Sequence, residues 1–417
     1  MIFIEQVLLN GERTNLLIDG NKIAGIGTQL SMPATAIRID GKRLAAFPTL
    51  CNCHTHAAMS LFRGYANDLP LMTWLNDWIW PREKHLDDDI IYWGTKLACL
   101  EMVKSGTTAL NDMYFFLPAA ARAIRESGLR ALLGFTMFGN CDEMDNGTYS
   151  KVQEQIGDSD GRIVMNPAPH AIYTVSAEGL QKSAQYCKAH MLPMHIHMSE
   201  TQQEVDDCVK QHGCRPYEYL DQLGILEMLG PLFIGAHSLY LSDKEIELIG
   251  KHGCQVVHNP NSNLKLGSGH QFRYSELKAA GVNVALGTDG CSSSDNLDMI
   301  EATKVMALLQ KGWRHDPTTL PAKEALRVAS RNGFQALGIQ AGEIAEGMLA
   351  DIMLVDLDNL AFVPCHDATS SLVYSAHGDA VDTVICDGQI LMQHHHVEGE
   401  EEIIAGARKA TERLFMK

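Results

Sequence analysis

A chain of 417 residues, 46% hydrophobic and 20% charged, has room for one large domain and a smaller one. Its net charge of -17 argues against nucleic acid or an acidic membrane as partner, and no apolar run approaches the ~18 residues of a membrane span. The 11 cysteines, scattered and without Cys-x-x-Cys, fit free thiols in a reducing cytoplasm, and the first residues show neither the basic nor the apolar region of a secretory leader.

In chain order, residues 1–43 read as short strands at 2–9, 15–18 and 22–26, with turns at Asn10-Gly11 and Asp19-Gly20-Asn21. From Leu44 the pattern changes to strands followed by helices. A buried strand over 44–56 ends in His54 and His56. A helix over 86–104 stops at Ser105-Gly106, and strands follow at 107–113, 129–135, 162–166 and 193–197, with helices at 117–126 and 177–190 between them. Strand 232–237, helix 243–251, strand 255–258, helix 274–280 and strand 282–286 complete a set of eight strands. That alternation predicts a (β/α)₈ TIM-like barrel. Helices at 297–311 and 321–337 come next, then strands at 352–355, 381–386 and 390–392. The expected organisation is a small β-sandwich domain built from both chain ends (1–43 and 344–395), a barrel over 44–343, and a solvated helical tail over 396–417. The triplet His394-His395-His396 reads as an exposed turn, not a metal site.

A barrel of this kind carries its active site at the C-terminal ends of the strands. His54 and His56 end the first strand, His197 the fifth and His237 the sixth; Asp289 follows the eighth. One His-x-His pair means little in a chain with 18 histidines, but five polar residues placed at one face of the barrel point to a metal centre. Residues two apart on a strand share a face, so His54 and His56 reach into one space. With His197 and Asp289 they form a mixed nitrogen and oxygen set that suits one divalent metal, zinc first and iron second. Glu200, three residues past His197, is either a proton shuttle facing the metal's water or a carboxylate at a helix start. His237 could bind a second metal or hydrogen-bond the substrate, and His195 is expected to point away from the site in a structural role.

Several segments carry a resemblance. They are Pro48 through Gly64, Asp68-Leu69-Pro70-Leu71-Met72-Thr73-Trp74-Leu75, Ala168 through Ser176, His197-Met198-Ser199-Glu200, His258-Asn259-Pro260-Asn261-Ser262-Asn263-Leu264-Lys265-Leu266, Gly287-Thr288-Asp289-Gly290 and Glu346 through Ile352. The chain resembles the amidohydrolase superfamily, and within it the 5′-methylthioadenosine/S-adenosylhomocysteine deaminases. The resemblance implies that His54, His56, His197 and Asp289 hold the metal and that Glu200 is the proton shuttle to the purine. It implies further that His237 orients water or substrate, and that Trp74 walls the nucleoside pocket, Glu83 binds the ribose hydroxyls and His170 makes a further nucleoside contact. Without it, Trp74 would be a core aromatic and Glu83 a solvated charge. The reaction implied is conversion of an adenine nucleoside to its hypoxanthine counterpart with release of ammonia. The partner is then a small nucleoside, and a homo-oligomer is compatible with the pattern.

Other readings of the same residues are a deaminase or hydrolase of a guanine-type base or a triazine-like ring, or a non-catalytic scaffold, although no ligand position is lost. Segment 131–161 contains no Arg, and its only Lys is Lys151; it includes Asp142, Glu143 and Asp145 together with Phe135, Met137 and Phe138. A carboxylate on the substrate's 5′ end would find no clamp there. Methylthioadenosine, then adenosine, is therefore expected to be preferred over S-adenosylhomocysteine.

Overall fold

The structure, a computed structural model, describes residues 1–157 and 161–416. The chain opens with β1 (Ile2–Leu9), β2 (Glu12–Asp19), β3 (Lys22–Ile26), β4 (Ile37–Asp40) and β5 (Leu44–Pro48). In β3, Ile23 and Gly25 face inward while Lys22 and Ala24 face out, the period-two pattern of a half-buried strand.

The barrel strands follow: β6 (Leu50–Thr55), β7 (Thr107–Tyr114), β8 (Arg130–Met137), β9 (Ile163–Pro169), β10 (Met194–Met198), β11 (Phe233–His237), β12 (Gln255–His258) and β13 (Asn283–Leu286). They pair in parallel as two runs of four, β6 to β9 and β10 to β13. β7 is buried at every position, as expected of a strand covered on both faces. Two backbone bonds join the runs at the strand ends: His197 N–H to the His170 carbonyl (3.1 Å) and Asp289 N–H to the His54 carbonyl (2.9 Å). Cys51, Cys53, Ala109, Leu132, Ile234, Val257 and Ala285 form an apolar cluster with Phe334, from helix Arg331–Ala336.

The chain then returns to the first sheet with β14 (Ile352–Asp356), β15 (Val381–Cys386) and β16 (Gln389–Met392), giving an eight-stranded, sandwich-like unit from both chain ends.

Four expectations need correction. The run from Leu44 is two strands. β5 pairs with β1 and β14 in the outer sheet, so the chain enters the barrel after Pro48 rather than at Leu44. Proline cannot donate a ladder bond, and the pairing changes sheets there. The single helix over 321–337 is two, Ala322–Ala329 and Arg331–Ala336, broken at Ser330. β4 and the helices Gln202–His212, Pro216–Gln222 and Ile225–Leu229 had no counterpart in the sequence reading. The first of these helices buries only Glu204, Val205 and Cys208, so its apolar stripe is too thin to be seen.

Finally, the tail is docked, not solvated. Helix Glu400–Phe415 buries Ile403, Ala407, Ala410 and Leu414, and Arg413 pairs with Asp87 and Asp89 at the start of helix Asp88–Lys104. Gly406 permits the contact: a Cβ there would lie 2.3 Å from the Trp93 ring. Phe415 packs on Phe62 and Tyr65, in the segment that leaves the end of β6.

A buried ion pair ties the outer sheet to the barrel. Asp351 accepts from Arg130 Nε (3.1 Å), from the Thr108 hydroxyl (3.2 Å) and from the Asp387 amide (2.9 Å). Replacing Arg130 by Met would keep much of the stem's packing but leave a buried carboxylate unpaired. The expected cost is about 3–5 kcal/mol in urea unfolding, and a loss under 1 kcal/mol would show that the pair does not hold the two units together.

Candidate active site

The site forms where strands β6, β10 and β11 and the turn after β13 end side by side. Ser199, His237 and Asp289 each have positive φ (48°, 66° and 63°), a region that non-glycine residues adopt at a cost. This strain falls at strand ends, where it turns the side chains over the barrel mouth. Between β13 and Asp289, Gly287 is required by close approach: a Cβ would lie 2.5 Å from Asn259 Oδ1 and 2.8 Å from the His54 backbone.

Each histidine is oriented through its Nδ1. His56 Nδ1 lies 2.5 Å from the Met113 carbonyl, and His197 Nδ1 lies 2.7 Å from the His170 carbonyl. A carbonyl can only accept, so both rings carry the Nδ1 proton and turn Nε2 toward the centre. His54 Nδ1 faces His195 Nε2 at 2.9 Å. Nε2 of His54 and of His56 then lie 3.3 and 3.1 Å from Asp289 Oδ1. Asp289 Oδ2 is held by the hydroxyls of Ser262 and Ser293, both at 2.7 Å.

His195 does not point away as expected. Residues 195 and 197 are two apart on a strand, so they share a face, and His195 supports His54 from beside it.

Ligand atoms of His54, His56 and His197 lie within 4.8 Å of one another, and so do those of His54, His237 and Asp289. His54 Nε2 and Asp289 Oδ1 are buried with no hydrogen-bond partner. Two unsatisfied buried acceptors aimed at one point are costly unless a cation sits between them. The donor set fits one divalent metal.

Burial, partly opposed by Asp289, lowers the His54 pKa to about 4. Burial acts the same way on His56, but there Asp289, the Met113 carbonyl and Asp112 outweigh it and raise the value to about 9. Asp289 is held well below the usual carboxylate range: burial would raise it, but the two imidazoles facing Oδ1 prevail.

Around this centre, Glu200 Oε2 stands 3.9 Å from His237 Nε2. Burial pushes the Glu200 carboxyl up. Glu204 accepts the amides of Ser199 and Glu200, both at 2.8 Å, and so fixes the turn that carries Glu200. On its other side, His237 Nδ1 meets the Asn263 and Asn259 amides at 3.1 and 3.3 Å.

His170 serves His197 through its own carbonyl, while its ring stacks on Phe138 and burial lowers its pKa to about 4. Glu83 is half-buried and accepts from the Tyr114 hydroxyl at 2.7 Å. Trp74 is buried in an apolar cluster with Met59, Leu61, Phe62 and Ile79, and has no polar contact with the centre.

Sequence reasoning missed Met113, His195, Glu204, Asn259, Asn263 and Tyr114. Only the segment Asn259-Pro260-Asn261-Ser262-Asn263 had a signal, through its resemblance, and it had no assigned task.

A model of the amidohydrolase family matches residues 45–391. The chain belongs to the amidohydrolase family. Among its relatives, a 5′-deoxyadenosine deaminase of Methanoregula boonei is 48% identical over 91% of this chain and 86% of its own. A 5-methylthioadenosine/S-adenosylhomocysteine deaminase of Archaeoglobus fulgidus is 44% identical over 95% and 94%. The crystal structure of an adenosine deaminase from Xanthomonas campestris with bound zinc superposes with a TM-score of 0.93 at 33% identity, covering 100% of this chain and 99% of that one. These relatives place the chain in the methylthioadenosine/S-adenosylhomocysteine deaminase branch of the amidohydrolases.

Partners that orient metal ligands typically matter about 10–100-fold for metal affinity. His195→Ala is expected to weaken metal binding by that factor in a chelator competition. Unchanged affinity would make His195 a filler of the barrel interior.

Proposed function

We propose that the protein is a zinc-dependent deaminase that hydrolyses the 6-amino group of adenine nucleosides with an uncharged 5′ end, yielding the hypoxanthine nucleoside and ammonia. The observation that carries this reading is the cluster of His54, His56 and His197, with Asp289 Oδ1 3.3 and 3.1 Å from the first two and the Glu200 carboxyl 3.9 Å from His237. The deaminase names of the relatives supply the substrate class.

His54, His56, His197 and Asp289 would hold the cation. When bound, it supplies Lewis acidity that makes water a competent nucleophile near neutral pH. Glu200, its carboxyl pKa raised by burial, can deliver a proton to ring N1, which makes C6 electrophilic. Asp289 faces the attacking water with Oδ1 and takes its proton, because Oδ2 is committed to two serines. His237 orients that water through Nε2. Water adds at C6, the proton taken by Asp289 passes to the amino nitrogen, the bond from C6 to that nitrogen breaks, ammonia departs, and the remaining hydroxyl proton returns to Glu200 as the C6 carbonyl forms.

Glu83 would accept the ribose hydroxyls, and His170 and Trp74 would border the nucleoside. We place the 5′ group in the cavity of about 550 Å³ that includes Glu83 and Tyr114. Trp80, Leu86, Phe116 and Phe135 give it apolar walls, while Lys84 and Asp88 bring opposite charges. Phe135 is therefore available as expected, whereas Met137 is buried in the core. Of the arginines outside segment 131–161, Arg63 is engaged by Glu101, and Arg82 donates to the Tyr65 hydroxyl and lies over the Phe415 ring.

Glu200→Gln is expected to retain metal and lose about 10²–10⁴-fold in kcat. A near-normal kcat would reduce Glu200 to a turn residue.

On substrates, kcat/KM should be higher for 5′-deoxyadenosine and 5′-methylthioadenosine than for S-adenosylhomocysteine, with free adenine and guanine turned over poorly. S-adenosylhomocysteine matching the first two would overturn the uncharged-end assignment. Efficient turnover of a free base would remove Glu83 from recognition.

A further inference from the structure

Two consecutive residues at the end of β7 face two different parts of the site. The Met113 carbonyl fixes the ring of His56 at 2.5 Å, and the Tyr114 hydroxyl reaches Glu83 at 2.7 Å. Glu83 lies in a short helix, Trp80–Glu83, on the connection between β6 and helix Asp88–Lys104 and not on a barrel strand. A carboxylate on such a connection has no frame of its own relative to the metal centre.

Tyr114 supplies that frame. It is buried, and its own carbonyl accepts from the Thr136 hydroxyl at 3.0 Å. Its backbone is paired with Phe135 of β8, and its ring lies 6.1 Å from that of His56.

We propose that Tyr114 is a positioning residue for substrate recognition: its phenol holds the Glu83 carboxylate at a set distance from the metal centre, aimed at the vicinal hydroxyls of the sugar. A phenol between a carboxylate and a protein interior can only donate, so the bond has one polarity. It occupies one oxygen of Glu83 and turns the carboxylate's remaining acceptor capacity to the substrate. Burial and the adjacent carboxylate push the phenol's pKa well up, which keeps it protonated. Because residues 113 and 114 are neighbours on one strand, the separation between the reacting base and the sugar is set by a single stretch of backbone.

This inference rests on Glu83 reading the sugar, and the experiment separates the two claims. Steady-state kinetics of the zinc-loaded wild type, Tyr114→Phe, Glu83→Ala and the double variant would be compared on adenosine and 2′,3′-dideoxyadenosine, with metal content measured for each. Tyr114→Phe keeps the ring and is expected to raise KM for adenosine roughly tenfold, the scale of one charge-assisted hydrogen bond. Its kcat, its metal content and its KM for the dideoxy analogue should stay within about twofold. In the Glu83→Ala background, Tyr114→Phe should have no further effect on adenosine.

Equal KM changes on both nucleosides in Tyr114→Phe, or additive effects in the double variant, would overturn the positioning role while leaving Glu83 as sugar reader. Glu83→Ala losing equally on both nucleosides would overturn the sugar-reading assignment, and the positioning role with it.

Discussion

The site depends on hydrogen bonds that fix one nitrogen of each imidazole so that the other has only one place to point. Met113 and His170 do this with backbone carbonyls, and His195 does it with a ring. Two of these anchors belong to the backbone at the ends of barrel strands, so ring orientation is inherited from strand pairing. The bonds that join the two four-stranded runs are made by His197 and Asp289 themselves. Closing the barrel and assembling the ligand set are therefore one event, and a displaced strand would disturb both.

That arrangement is costly before any cation arrives. His54, His195, His197, His237 and Asp289 are buried together, and three of their side-chain atoms, His54 Nε2, His195 Nδ1 and Asp289 Oδ1, have no hydrogen-bond partner. Positive φ at Ser199, His237 and Asp289 adds to the cost. The surrounding structure must over-determine these conformations, and it does so with neutral donors: two serine hydroxyls on Asp289 and two amides at His237. Using neutral groups rather than additional charges leaves the negative charge of Asp289 uncompensated toward the metal position, which is the property a cation site needs.

How much of this was legible follows from range along the chain. The strand-end pattern of His54, His56, His197, His237 and Asp289 is local: each residue follows its own apolar run, and the fold rule supplies the common face. The barrel could be read for the same reason. What could not be read depends on partners distant in sequence. Arg130 meets Asp351 across 221 positions, and no local signal marks either as half of a pair. The split at Pro48 is decided by which sheet offers a partner strand, since both halves are buried. Trp74 had two readings, and the structure places it in the apolar cluster beside the barrel mouth. His195 is a different case: the alternation rule that paired His54 with His56 applies equally to His195 and His197 and was set aside there.

The division of labour between strands and connections also bears on how such a site changes. The metal ligands, Glu200 and their supports sit on the barrel strands or in the turns immediately after them, where strand pairing limits movement. Glu83, Trp74, Trp80 and Leu86 sit on the long connection between β6 and helix Asp88–Lys104, which is held down by apolar packing, by the docked C-terminal helix and by the bond to Tyr114. On the proposed assignment, substitutions on that connection would reshape the sugar and 5′ sites and leave the residues at the strand ends in place. Substitutions at the strand ends cannot alter one ligand without disturbing the hydrogen bonds that orient the next. On that assignment the chemistry lies on strand ends held by pairing, and recognition on a connection held by side-chain packing.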